Sequence, residues 1–75
     1  MTVENRTSRS FVGTRLRERR RALGLTQAAL AQRAGISASY LNLIERNRRG
    51  IGGRLLARLA GELGLRPSEV DGATE

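Results

Sequence analysis

The sequence predicts an all-α domain of about five short helices, and three observations carry that prediction. No segment alternates apolar and polar residues with a period of two, as a half-buried strand would. Four stretches repeat apolar residues at helical spacing, and glycines and hydroxyl residues stand between them where helices stop and start. The chain has 75 residues, of which 39% are hydrophobic, which bounds it to one small domain near the lower size limit for a self-sufficient core. Those apolar side chains are needed for interdigitating helices or for a contact between copies.

Residues 1–10 are polar, with little to bury, and read as a flexible basic arm carrying Arg6 and Arg9. A first helix follows with Val12, Leu16 and Leu23 at helical spacing and Ala22 beside them, until Gly24 supplies a left-handed stop. Thr26 caps a second, alanine-rich helix through Ala28, Ala29, Leu30, Ala31 and Ala34 that ends at Gly35. After Ile36, Ser37 caps a third helix from Ala38 to Glu45. A polar loop from Asn47 to Gly53 leads to a fourth helix with Leu55, Leu56, Leu59, Ala60 and Leu63 on one face, ending at Gly64. Pro67 suits the first turn of a short final helix, with Val70 as its apolar contact, and residues 71–75 form an acidic tail. The globular domain thus spans residues 11–70.

Composition removes several classes of chemistry. There is no cysteine or histidine for zinc, redox or imidazole-dependent catalysis, and no lysine nucleophile. The seven acidic residues form no recognisable catalytic pair, so an enzyme is not expected, nor is a metal or cofactor. No apolar run approaches the ~20 residues of a membrane span, and the start lacks the apolar stretch of a signal peptide, which predicts a cytoplasmic protein.

The net charge is +7, and all fourteen basic residues are arginine. Residues 1–21 carry seven Arg against Glu4 and Glu18, for +5, and residues 46–58 carry five Arg and no acid, for another +5. From Glu62 onward Arg66 stands against four acids, for −3. Two basic segments that converge on one surface suit a polyanion such as nucleic acid. The other reading of such segments is a solvated face that keeps the chain soluble.

The informative stretch is Gln27 to Arg46, whose spacing encodes two helices meeting at a steep angle across a turn of about three or four residues. Ala31 is small, as close packing requires, and Gly35 falls where the turn needs a positive φ. Leu30, Ala34, Ile36, Leu41 and Ile44 seal the angle from beneath. These residues, within LRERRRALGLTQAALAQRAGISASYLNLIERNRRG, resemble the phage-repressor and Cro-like helix-turn-helix proteins, the xenobiotic-response-element family. The resemblance runs from about Val12 to Val70 and is carried by the LGLTQ, LAQRAGIS and LIERNRRG segments. The string SYLNLIE is also similar to the heads of longer bacterial regulators that sense short-chain acyl metabolites. A small-molecule effector is implied only if a longer chain exists.

The resemblance implies a compact, five-helix, lambda-repressor-like DNA-binding domain whose third helix enters the major groove of double-stranded DNA. On the outward face of that helix, Ser37, Ala38, Ser39, Tyr40 and Leu43 are expected to meet the bases. Family members often read bases through glutamines here; this helix has none, which favours apolar and shape readout. Gln27, Asn42, Arg46, Asn47 and Arg49 are assigned to phosphates, with Arg48 beside them, and Arg15 and Arg17 to the flanking strand. Arg6 or Arg9 would follow a groove. Arg20 is implied to form a buried pair with Glu45 while also lying near a phosphate.

A recognition helix of this length covers only ~4 base pairs, so specific control needs two copies on a pseudo-palindromic operator. The expected function is transcriptional control in the bacterial nucleoid, as a dimeric repressor, with the dimer patch on the fourth and last helices around Leu65 and Val70. The alternative is an antitoxin-like or adaptor protein that uses the same fold to bind a protein partner.

Overall fold

The computed structural model describes residues 12–66 and Glu69. These form four helices, α1 (Val12–Ala22), α2 (Gln27–Ala34), α3 (Ala38–Glu45) and α4 (Gly53–Glu62), with no strand among the described residues. The expected arm with Arg6 and Arg9, the final helix at Pro67 with Val70, and the acidic tail lie outside the described residues.

Local chemistry sets the boundaries. Thr26 and Ser37 stand in extended conformation before α2 and α3, and their hydroxyl oxygens accept from the amides of Ala29 and Tyr40, each at 3.0 Å. Each cap satisfies a first-turn donor that has no partner inside its helix. At the other end of α2, Gly35 has φ 76°, a conformation that disfavours any Cβ. Its turn lets Ile36 donate back to Ala31 O at 3.0 Å and folds the isoleucine against the core. The same device ends α1 at Gly24 with Leu25 and α4 at Gly64 with Leu65. After α3 the left-handed residue is Asn47, φ 60°, and Arg48 closes the turn by donating to Leu43 O at 2.9 Å.

Leu16, Leu30, Ala31, Ala34, Leu41, Ile44, Leu59, Ala60 and Leu63 form the buried core. Both α1 and α2 pack on α3, and α4 packs on α2. One expected core position is corrected. Leu23 is 46% exposed because α1 ends at Ala22 and the Gly24 turn swings Leu25, two residues on, into the interior instead. The inward position left on α1 is taken by the charged Arg20.

Two helices meet backbone to backbone at Gly13. A Cβ there would fall 1.9 Å from Ile44 O and 2.8 Å from Asn47 Oδ1. The start of α1 therefore lies directly on the C-terminal backbone of α3, a geometry that only glycine permits. Gly13→Ala should lower stability by about 2 kcal/mol or more through forced separation of the helices. Gly61→Ala, in open space on α4, should be neutral or stabilise by up to ~1 kcal/mol. Urea denaturation of both variants reads the contrast; equal stabilities would show that α1 is not seated on α3.

Candidate nucleic-acid interface

At ~100° per residue, α3 divides into two sides. Leu41, Ile44 and Glu45 turn inward and are buried. Ala38, Asn42 and Arg46 form one outward strip, and Ser39 and Leu43 the strip beside it. Ser37, Ala38, Ser39, Leu43 and Arg46 are exposed, and Asn42 is half-buried. Leu43 is 40% exposed, an aliphatic side chain left in water on an otherwise small and polar face. Tyr40 lies at the margin, half-buried against the core, with the Arg49 guanidinium 5.6 Å above its ring. That distance is within cation–π range and steadies both side chains at the edge of the face.

Behind this face a buried polar network ties three helices together. Arg20 grips Glu45 with a two-pronged fork, Nε to Oε2 at 2.7 Å and Nη2 to Oε1 at 3.0 Å. Its third nitrogen, Nη1, donates to Leu25 O at 2.8 Å. Glu45 is 1% exposed, so its charge is tolerable only because this partner and these bonds accompany it. Gln27 adds two bonds from Nε2, to Glu45 Oε1 at 3.0 Å and to Asn42 Oδ1 at 3.1 Å.

Beside α3 an open cleft of about 380 Å³ is lined by Thr14, Arg17, Glu45, Arg46, Asn47 and Arg48. The single acid in this lining is already paired with Arg20, so the cleft is cationic. Among the described residues, Arg17 Nε is the one buried side-chain nitrogen or oxygen without a hydrogen-bond partner.

The residues singled out in the sequence fall into three groups. Ser37, Ala38, Ser39, Asn42, Leu43 and Arg46 share the open face of α3, with Tyr40 and Arg49 stacked at its border and Arg17 in the neighbouring cleft. Gln27, Arg20 and Asn47 are committed internally. Both amide hydrogens of Gln27 are engaged, and all three guanidinium nitrogens of Arg20 have partners inside the protein. The expected buried pair of Arg20 with Glu45 is thus present, and the side-chain donors of Gln27 serve Glu45 and Asn42. Asn47 Oδ1 accepts from Gly13 N at 2.9 Å, and Nδ2 donates to Thr14 Oγ1 at 2.9 Å, so its side chain caps α1. That role, spanning 34 positions in sequence, leaves no local signal.

Arg15 stands apart. Two positions from Arg17 on a helix is about 200°, which carries Arg15 to the opposite flank. There its Nη1 donates to Glu69 O at 3.0 Å, and Arg19 Nε donates to Leu63 O at 3.0 Å. Arg15 therefore does not join Arg17 on one strand-gripping surface as expected. In this region Glu69 Oε1 also accepts from Arg66 N at 2.7 Å.

The helix-turn-helix family model matches residues 16–70. This chain belongs to the helix-turn-helix family. The matched stretch takes in α2, α3 and α4 and the later part of α1. The helix-turn-helix chain is similar to the propionyl-CoA carboxylase regulator of Cereibacter sphaeroides, 44% identical over 55 residues that cover 73% of this chain and 12% of that protein. It is similar also to the immunity repressor protein of Bacillus phage phi105, 41% identical over 61 residues covering 81% of this chain and 42% of the repressor. The crystal structure of the clp gene regulator ClgR of Corynebacterium glutamicum superposes with a TM-score of 0.80 at 33% identity, covering 84% of this chain and 67% of ClgR. The helix-turn-helix chain thus spans well under two thirds of the length of both sequence relatives.

Removing one partner of the buried pair exposes its worth. Glu45→Ala should cost about 3–5 kcal/mol, because the Arg20 guanidinium is left buried and uncompensated. Arg15→Ala, at an exposed site, should change stability by no more than ~0.5 kcal/mol. Chemical denaturation distinguishes the two; a loss under about 1 kcal/mol for Glu45→Ala would mean that the pair is effectively solvated.

Proposed function

We propose that this chain is a sequence-specific double-stranded DNA-binding transcriptional regulator, acting in the cytoplasm as a dimeric repressor and not as an enzyme. One observation carries the reading. The outward flank of α3 is open to solvent and abuts an open cleft lined by Arg17, Arg46 and Arg48. A major groove accepts a helix of this width, and the phosphates at its edge are anions placed to meet such a cleft.

In this reading Ser37, Ala38, Ser39, Tyr40 and Leu43 face base edges. Ser39 offers a donor or acceptor, and Ala38 and Leu43 suit a thymine methyl. Arg17, Arg46 and Arg48 hold one phosphate at the cleft, and Arg49, stacked on Tyr40, reaches the strand beside it. With eight residues, α3 is ~12 Å long and covers ~4 base pairs. Genomic selectivity then calls for two copies on half-sites about one helical turn apart, with the contact between copies on the α4 side of the molecule near Leu65. Repression is supported by the likeness to a phage immunity repressor. An effector would act through further chain of the kind the longer relatives carry. Residues 1–10 and 71–75 are read as a basic arm and an acidic tail flanking the domain of residues 11–70, with Arg6 and Arg9 tracking a groove.

Titrating the chain against its best duplex from a random pool at increasing salt tests the reading. With ~6 phosphates neutralised, log K against log salt should fall with a slope near −5, and a flat line would end the proposal. Ser39→Ala should alter which sites are selected, whereas Arg46→Ala should weaken all sites alike; the reverse pattern would show that the groove face is misassigned.

A further inference from the structure

The cleft beside α3 has more cationic capacity than one DNA phosphate uses. Arg17, Arg46 and Arg48 line it, and among the described residues none of the three makes an ion pair, while the one acid in the lining, Glu45, is spent on Arg20. Each guanidinium presents about five N–H donors, whereas a backbone phosphodiester returns a single negative charge. Thr14 adds a hydroxyl: its Oγ1 accepts from Asn47 Nδ2 at 2.9 Å, which leaves its own hydrogen to donate. Asn47 Oδ1 is taken by Gly13 N. The hydrogen-bonding capacity left in the lining is therefore chiefly that of donors. At about 380 Å³ the cleft is also ligand-sized, within the roughly 300–1,000 Å³ of small-molecule sites. Its walls come from α1 and from the loop after α3, and the backbone contact at Gly13 sets their spacing.

We infer that this cleft is a binding site for a short linear phosphate chain, a di- or triphosphate, free in solution or carried on a nucleoside. A terminal phosphoryl group brings a charge of about −1.5 to −2 and three acceptor oxygens. Linked phosphates therefore match three arginine forks that a single diester leaves part-filled. The outward face of α3 takes no part in holding the anion. The consequence for regulation rests on the DNA-binding reading above: the soluble phosphate chain and the DNA backbone compete for one seat, and duplex is released as the anion rises.

The test uses the full chain and inorganic triphosphate at constant ionic strength. Backbone amide resonances of Thr14, Arg17, Arg46, Asn47 and Arg48 should shift and saturate together, while those of Ser39, Leu43, Arg33 and Arg58 stay in place. Even shifts across all arginines would reveal a diffuse counterion cloud and overturn the site. Arg48→Ala, at an exposed position, should weaken triphosphate binding about tenfold, and Arg33→Ala, outside the cleft, by less than about twofold. Equal losses overturn the assignment, as does citrate binding as tightly as triphosphate. Comparing inorganic triphosphate with a nucleoside triphosphate separates the two sources: equal affinity supports the free anion, and tighter binding of the nucleotide supports the carried one. In the duplex titration, triphosphate should raise the apparent Kd in step with its own occupancy of the cleft; occupancy without that rise overturns the competition. A chain that holds triphosphate but binds no duplex defeats the DNA-binding reading and leaves the site standing, whereas duplex binding with no triphosphate bound defeats the site alone.

Discussion

The architecture depends on one charge that cannot stand alone. Glu45 sits on the inward side of α3 with 1% exposure, and a bare carboxylate there would be strongly disfavoured. The two-pronged Arg20 on α1 removes that penalty, and Gln27 at the start of α2 completes the acceptor's shell. Three helices thus meet at a single side chain whose hydrogen bonds have direction as well as strength. Aliphatic packing alone tolerates small rotations of one helix against another; a forked ion pair with a third donor does so much less.

That constraint reaches the surface because the network and the interface are two sides of the same helix. The inward side of α3 carries Leu41, Ile44 and Glu45, and the outward side carries Ala38, Ser39, Asn42 and Leu43. Holding Glu45 therefore orients the opposite face, and through Gln27 it also orients one amide on that face. The second anchor is at the far end of α3, where Gly13 lies against Ile44 O and the Asn47 side chain caps α1. This contact places Thr14 and Arg17 beside Arg46 and Arg48 and so creates the cationic cleft. Arginines distant in sequence act together because backbone meets backbone at a glycine.

The same helix geometry separates charges that the sequence lists as neighbours. Arg15 and Arg19 face the carbonyls of Glu69 and Leu63, whereas Arg17, between them, faces the cleft. The basic segment of α1 thus serves two functions. One flank secures the C-terminal end of the domain, and the other contributes to a surface suited to phosphate.

The sequence by itself determined the helical plan, because its signals are local. Thr26 and Ser37 cap within three residues, Gly24, Gly35 and Gly64 demand left-handed turns, and the spacing of Leu30, Ala34, Leu41 and Ile44 defines the inner angle between α2 and α3. The same periodicity placed Ser39 and Leu43 outward, whereas Tyr40, expected with them, packs half-buried against the core. Tertiary structure decided what each polar side chain does once buried or brought against a distant one. It spent the side-chain donors of Gln27 on Glu45 and Asn42, turned Asn47 into a cap for a helix 34 positions earlier, divided Arg15 from Arg17, and left Leu23 in water. Those outcomes depend on which atoms arrive within about 3 Å of one another, and hydrogen-bond direction and desolvation act only at that range.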